Sequence, residues 1–161
     1  MIFIPFGGGH VLPWANRFAP LHCSEFHLYD REDEPETAIR RQAVDLIHAR
    51  PDCRALLLTK RSLESYLHPA AIFDAGGGQF SEGYGEDVAT SVARTWFVNR
   101  PHDCDWHDLP HHARRRMATQ AKRWLNSEAV PYMTLGLLLQ MDPDGELLDW
   151  LGDIGAAVNH F

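Results

Sequence analysis

Short apolar runs and longer amphipathic segments alternate over the first third of the chain. Residues 26–29 and 55–58 form apolar runs of strand length, and residues 36–49 between them carry apolar side chains at helical spacing. Residues 2–4 predict an earlier strand, which the glycines at 7–9 would turn sharply. This strand–helix–strand order is typical of a parallel sheet with crossover helices.

The remainder of the chain is predicted to be helical, as the spacing of Val88, Val92 and Trp96 illustrates. The predicted helices cover residues 11–19, 69–75, 86–99, 110–125, 134–141 and 146–157. We therefore predict an α/β fold. Residues 1–68 would form a partial parallel sheet with its helices, and residues 69–161 would form a helical C-terminal half packed on it.

The composition is that of an ordinary folded domain of 161 residues, with 45% apolar and 23% charged residues, which excludes disorder. No apolar run reaches the roughly 18 residues that a membrane-spanning helix needs, and the first residues do not resemble a signal peptide. The three cysteines are widely spaced and odd in number, as in proteins with reduced thiols. We therefore expect a cytoplasmic protein without a membrane partner.

Charge is distributed unevenly along the chain. The net charge of −7 does not favour nucleic-acid binding by the domain as a whole. Residues 30–36 are acidic, however, and one predicted helix is basic. Its basic residues are Arg114, Arg115, Arg116, Lys122 and Arg123. A metal-dependent nuclease needs both kinds of region, although an ordinary amphipathic helix with a solvated face would also explain the basic segment.

Side chains with oxygen atoms, three of them carboxylates, follow the two predicted strands at the point where each strand ends. Asp30 and Glu32 come directly after the first, and Ser62 and Glu64 follow the second. The carboxyl ends of parallel strands meet at one edge of a sheet, so these side chains are expected to converge. In each pair the residues stand two apart, so strand geometry would point both to one side. Clustered carboxylates need a cation between them, and oxygen ligands favour Mg²⁺ or Mn²⁺.

Structural explanations of the same residues stay open. Asp30 and Glu32 precede a predicted helix, where negative charge is favourable without any metal. The glycines at 7–9 would expose backbone N–H groups to an anion, but they lack the Lys-Ser/Thr of a phosphate-binding loop, so a tight strand-to-helix turn is the simpler interpretation.

Three segments of residues 2–67 carry a family resemblance. They are Ile2-Phe3-Ile4-Pro5-Phe6-Gly7-Gly8-Gly9, Leu28-Tyr29-Asp30-Arg31-Glu32 and Thr59-Lys60-Arg61-Ser62-Leu63-Glu64-Ser65-Tyr66-Leu67. Together they resemble the Toprim domain of nucleases of the OLD (overcoming lysogenization defect) family. The second segment is similar to its Asp-x-Asp step, with Glu32 in the second place, and the third to its Ser-x-Glu step.

The resemblance implies roles for particular residues. Asp30, Glu32, Ser62 and Glu64 would ligate or orient Mg²⁺ or Mn²⁺ for phosphodiester cleavage, and Lys122 is the best match to a catalytic lysine in the family's downstream helical region. The family also has an earlier strand ending in glutamate, and it is usually fused behind an ATPase. This chain starts after that strand, so we expect a fragment or subunit whose partner is an ATPase subunit or a chain supplying the strand. A homodimer is a further expected assembly.

The sequence thus leads to two functional expectations. The first is a divalent-metal-dependent DNA endonuclease of the OLD/Toprim type, with weak activity alone. The alternative is a catalytically inert Toprim-like binding or regulatory module. Metal-dependent nicking of plasmid DNA by the purified chain separates them, whereas metal binding does not.

Overall fold

The computed structural model describes residues 2, 4, 10–79, 87–101 and 104–159 of the chain. The chain divides into two compact units. The sheet unit consists of Met1–Arg61 and Gly145–Phe161, and the helical unit consists of Ser62–Asp144. Within the described residues, no helix has the length and apolar character needed to cross a membrane.

Helices and two strands account for most of the described residues. The α-helices are, in chain order, α1 (Val11–Ala15), α2 (Glu36–His48), α3 (Pro69–Asp74), α4 (Val88–Val98), α5 (His111–Trp124), α6 (Leu135–Met141) and α7 (Glu146–Asn159). The strands are β1 (Glu25–Tyr29) and β2 (Cys53–Leu57). Short 3₁₀ turns lie at Ala19–Leu21, Leu63–Tyr66, Trp106–Asp108 and Val130–Tyr132, and one π turn spans Leu125–Ala129.

The sheet unit is built on one parallel strand pair joined by a helix. β1 and β2 are hydrogen-bonded in parallel, with Glu25 opposite Cys53 and Tyr29 opposite Leu57. Ala43 and Ile47 of α2 are fully buried in the same apolar core as Tyr29. The predicted strand–helix–strand order and parallel pairing are therefore confirmed, and the fold is mixed α/β. The predicted strand at residues 2–4 and the turn at 7–9 fall largely outside the described residues.

The segments that follow β1 and β2 meet at one edge of the sheet, as predicted for parallel strands. The amide of Leu58 donates to the Tyr29 carbonyl at 2.9 Å, and the amide of Glu32 donates to the Arg61 carbonyl at 3.0 Å. Arg61 also forms a 2.8 Å ion pair with Asp33. Backbone and side-chain bonds together hold these two segments side by side.

The helical unit packs α4 and α5 around a core that includes Val92, Phe97 and Leu125. The carboxylate of Asp87 caps α4 by accepting from the Thr90 amide at 2.8 Å, which satisfies a free N–H group of the first turn. The rings of Trp106 and Phe97 pack against each other, with their centroids 5.7 Å apart. Helical spacing of apolar residues predicted these elements, and their bounds agree within about two residues.

The division into units differs from the predicted division. The prediction placed the boundary at residue 68 and assigned all of residues 69–161 to the helical half. By contacts, the boundary lies between Arg61 and Ser62, and Gly145–Phe161 belongs to the sheet unit. Two side-chain contacts tie α7 to the sheet unit. Glu146 accepts a hydrogen bond from the Thr59 hydroxyl at 2.6 Å, and Asp153 forms a 2.8 Å ion pair with Arg54 of β2.

Candidate functional site

The helical unit brings together Glu64 and Lys122, two of the predicted site residues. Glu64 lies in the 3₁₀ turn Leu63–Tyr66, and Lys122 lies in the last turn of α5. The Lys122 ammonium is 3.3 Å from Glu64 Oε2. The Glu64 side chain is only 4% exposed whereas that of Lys122 is 47% exposed. The pair therefore joins a buried carboxylate to a cation that solvent can reach.

Asn126 holds the Glu64 carboxylate from the other side. Its amide donates to Glu64 Oε1 at 2.6 Å and to the Lys122 carbonyl at 2.9 Å. Asn126 lies in the π turn that continues α5 through Leu125–Ala129. Turns of this kind are rare in proteins as a whole, and those that occur are often found at functional sites. We call Glu64, Lys122 and Asn126 the helix cluster.

The outer face of α5 carries a row of cations that continues to Lys122. Arg115 and Lys122 are seven residues apart, as are Arg116 and Arg123, so each pair shares a helix face. All four side chains are exposed, and α5 contains no acidic residue. We call these four residues the basic stripe. The arrangement offers phosphate-binding charge beside a buried carboxylate.

Asp30 and Glu32 belong to the sheet unit. β1 ends at Tyr29, and Glu32 has φ of 55°, in the left-handed region. The premise that strand geometry continues through Glu32 and points both carboxylates to one side is therefore wrong. Glu32 instead lies 3.7 Å from the buried guanidinium of Arg40. The metal-binding role of Asp30 and Glu32 stays a prediction.

Strand-like alternation is also wrong for Ser62 and Glu64. Ser62 is extended, but Glu64 already lies in the 3₁₀ turn that begins at Leu63. The Ser62 hydroxyl is buried and lies 3.4 Å from that of Ser65. The turn directs Glu64 toward α5, which is why Glu64 meets Lys122.

Oxygen donors of the helix cluster fit a hard divalent cation in part. Glu64 supplies one oriented carboxylate, and Mg²⁺ commonly binds one or two carboxylates together with water and phosphate oxygens. Within each unit, the described residues contain no group of three or more His, Cys, Asp or Glu side chains placed to hold one ion. Lys122 already neutralises part of the Glu64 charge, so we expect weak binding until a phosphate engages the lysine.

Sequence reasoning missed a second polar cluster, on β1. Glu25, His27 and Tyr29 alternate along the strand and share one face. His27 Nε2 donates to Glu25 at 2.8 Å, and His27 Nδ1 lies 3.0 Å from the Tyr29 hydroxyl. Arg50 donates to the other Glu25 oxygen at 2.6 Å. We call these four residues the strand cluster. Its signal was the alternation Glu-x-His-x-Tyr in a run that looked merely apolar.

Burial and charge shift the pKa values in the strand cluster. Burial alone would raise the pKa of Glu25, but hydrogen bonds from Arg50 and His27 outweigh it and the pKa is lowered. Burial, reinforced by the negative charge of Glu25, raises the pKa of Tyr29 to about 12. The hydrogen bond to Glu25 raises the pKa of Arg50. The ionised pair and the neutral phenol are therefore the favoured states.

Glu146 is another carboxylate that sequence reasoning assigned no role. It begins α7 and accepts from both the amide and the hydroxyl of Thr59, at 3.0 and 2.6 Å. Its place directly after Asp142-Pro143-Asp144-Gly145 predicted a helix start, but not a partner 87 residues away.

Searches against protein-family models, curated proteins and solved structures gave no match to this chain.

Proposed function

We propose that the chain is a divalent-metal-dependent DNA endonuclease of the OLD/Toprim type, which hydrolyses phosphodiester bonds with Mg²⁺ or Mn²⁺. One observation carries the proposal. Glu64 and Lys122, which the resemblance assigns to one reaction from segments 58 residues apart in the sequence, lie 3.3 Å apart. Nothing in their sequence spacing requires this contact.

In the proposed reaction each residue of the helix cluster has its own task. Glu64 would hold the divalent cation, which supplies activation of water and neutralisation of the leaving oxygen. Lys122 would face the scissile phosphate, where a fixed cation stabilises developing negative charge. Asn126 would act as a positioning residue, because its amide fixes one oxygen of Glu64.

The basic stripe supports DNA as the substrate. Its four exposed cations, Lys122 among them, lie on α5, which carries no acidic residue. Lys122 is paired with Glu64, which lies outside α5. Arginine and lysine contacts to phosphates supply most sequence-independent DNA affinity, which falls as salt increases. The stripe therefore suits backbone binding without base readout. Asp30 and Glu32 of the sheet unit are proposed as further metal-binding residues, on the resemblance alone.

Nicking of supercoiled plasmid with millimolar Mn²⁺ tests the proposal. We expect Glu64→Gln and Lys122→Gln to lower the nicking rate by about 100-fold or more, as the loss of a transition-state contact usually does. Glu128→Gln is the matched control, because Glu128 is an exposed acid of the same π turn. It should nick like the native chain.

The outcomes separate the two functional candidates. Nicking that Glu64→Gln and Glu128→Gln leave equally unchanged would reject the helix cluster as the active site. DNA binding that depends on the basic stripe, without nicking under any divalent metal, would favour the inert binding module.

A further inference from the structure

A groove in the helical unit lies on the side of α5 that faces α4. Its volume is about 390 Å³, within the usual range for small-molecule sites. It is lined by Gly76, Gly77, Gly78, Trp96, Asn99, Arg100 and Trp124. We call it the tryptophan groove. None of its residues belongs to the helix cluster.

The glycines bring the chain close to the indole of Trp124. Gly76 lies two residues after the end of α3 and has φ of 90°. The amides of Gly76 and Gly77 donate to the carbonyls of Phe73 and Ile72, both at 2.8 Å. A Cβ on Gly77 would lie 2.8 Å from Trp124 Cη2 and 2.6 Å from Ile72 Cγ2. Only glycine therefore allows this approach, and the backbone forms one wall of the groove.

Two half-buried indoles form the aromatic part of the groove. Trp96 and Trp124 pack edge to face, with ring centroids 5.3 Å apart and planes at 81°. Aromatic side chains of this kind stack on nucleobases with little regard to sequence, because every base has a π face. Asn99 and Arg100, both exposed, add an amide and a permanent positive charge.

We infer that the tryptophan groove binds a nucleotide, with the base against Trp96 or Trp124 and the phosphate at Arg100. Charge complementarity supports this occupant, since a guanidinium pairs with a phosphate through two parallel hydrogen bonds. The nucleotide could be free or part of an unpaired DNA strand. The inference extends the proposed function, because an unpaired nucleotide would be held by the helix that carries Lys122.

Binding measured in EDTA tests the groove separately from nicking. The probes are thymidine monophosphate and a twelve-nucleotide oligothymidylate, titrated calorimetrically and by tryptophan fluorescence. We expect Arg100→Gln to weaken binding of both probes by about tenfold or more, because it removes the charge-assisted hydrogen bonds to the phosphate. Arg41→Gln is the control, since Arg41 is an exposed arginine of the sheet unit. It should bind both probes like the native chain.

Fluorescence assigns the site. Quenching in the native chain should shrink in Trp124→Phe or Trp96→Phe, which keep an aromatic ring in the core contact. If only the oligonucleotide binds, the ligand of the groove is an unpaired DNA strand. If both probes bind, the groove also accepts free nucleotides. No binding of either probe, or equal losses in Arg100→Gln and Arg41→Gln, would overturn the inference. Nucleotide binding without nicking would support the tryptophan groove as a binding site and would contradict only the proposed nuclease function.

Discussion

The strand cluster and the helix cluster use similar groups in different surroundings. Each holds a buried carboxylate between a cation and a second hydrogen-bonding side chain, His27 in the strand cluster and Asn126 in the helix cluster. In the strand cluster the cation is also mostly buried, since the Arg50 side chain is 16% exposed. In the helix cluster, Lys122 is 47% exposed. A closed ionic cluster presents little charge to solvent, whereas one with an exposed cation is able to meet a substrate.

This difference separates stability from activity. Breaking a buried pair leaves an uncompensated charge inside the protein. Removing the exposed partner of a half-buried pair costs less, because water can reach the position that the exposed partner leaves. The strand cluster should therefore have the larger effect on unfolding, and the helix cluster the larger effect on the proposed phosphodiester cleavage.

The largest expected effect is on the stability of Glu25→Gln. Arg50 and His27 would both face an amide in place of a carboxylate, so we expect the free energy of unfolding to fall by about 3 kcal/mol. Urea denaturation followed by circular dichroism measures it. Asp45→Asn, at an exposed position of α2, is the control and should change it by about 0.5 kcal/mol or less. Similar losses in both variants would mean that the strand cluster contributes nothing special.

The next effect appears at alkaline pH. The pKa of Tyr29 rises from 10.0 to about 12 on folding, and the residue is only 2% exposed. Between these values the unfolded chain loses the proton and the folded chain keeps it, so the stability that Tyr29 contributes falls as pH rises. Over this window the advantage of the native chain over Tyr29→Phe should shrink by about 2–3 kcal/mol.

Ultraviolet absorbance offers a direct readout for this phenol. Removal of Tyr29 should delete a step near pH 12. A Tyr29 step near pH 10 in the folded chain would show that the strand cluster is open to solvent.

A smaller effect is expected in acid. The pKa of Glu25 is lowered from its ordinary value of 4.5, so its contribution to stability is complete above that pH and is lost as pH falls through the folded value. The native chain should lose stability more steeply than Glu25→Gln below pH 4.5. Urea midpoints between pH 7 and 3 measure the two slopes, and parallel slopes would contradict the assignment.

The smallest effect concerns Lys122→Gln. The ammonium is half exposed, so solvent screens its pair with Glu64, but its removal leaves a buried carboxylate that Asn126 still holds. We therefore expect the free energy of unfolding to fall by about 1 kcal/mol. Urea denaturation at low and moderate salt tests this. A loss as large as that of Glu25→Gln would erase the distinction between the two clusters and make the helix cluster structural.

Much of the fold was predictable because it depends on local patterns. Apolar spacing located α2, α4 and α5, and the order of elements indicated the parallel pairing of β1 with β2. The place of α7 in the sheet unit was not predictable, because it depends on the contacts Thr59–Glu146 and Arg54–Asp153 between residues far apart in the sequence.

The candidate site divides along the same line. Glu64 and Lys122 were identifiable by resemblance, but their contact depends on a 3₁₀ turn where strand geometry was expected. Asn126 was missed because its orientation follows from a π turn, which leaves no periodic signal in the sequence. The strand cluster was missed because inward-facing polar residues on a strand contradict the usual apolar alternation.

The two bonds from Thr59 to Glu146 also describe how the chain could be rearranged. They join the points at which the polypeptide leaves the sheet unit and re-enters it, so the helical unit is topologically an insertion with neighbouring ends. Domain insertions are best tolerated where chain ends lie close together. A short turn from Arg61 to Gly145 would therefore join the two segments of the sheet unit without stretching the chain. The two units could then be engineered, and compared with other proteins, one at a time.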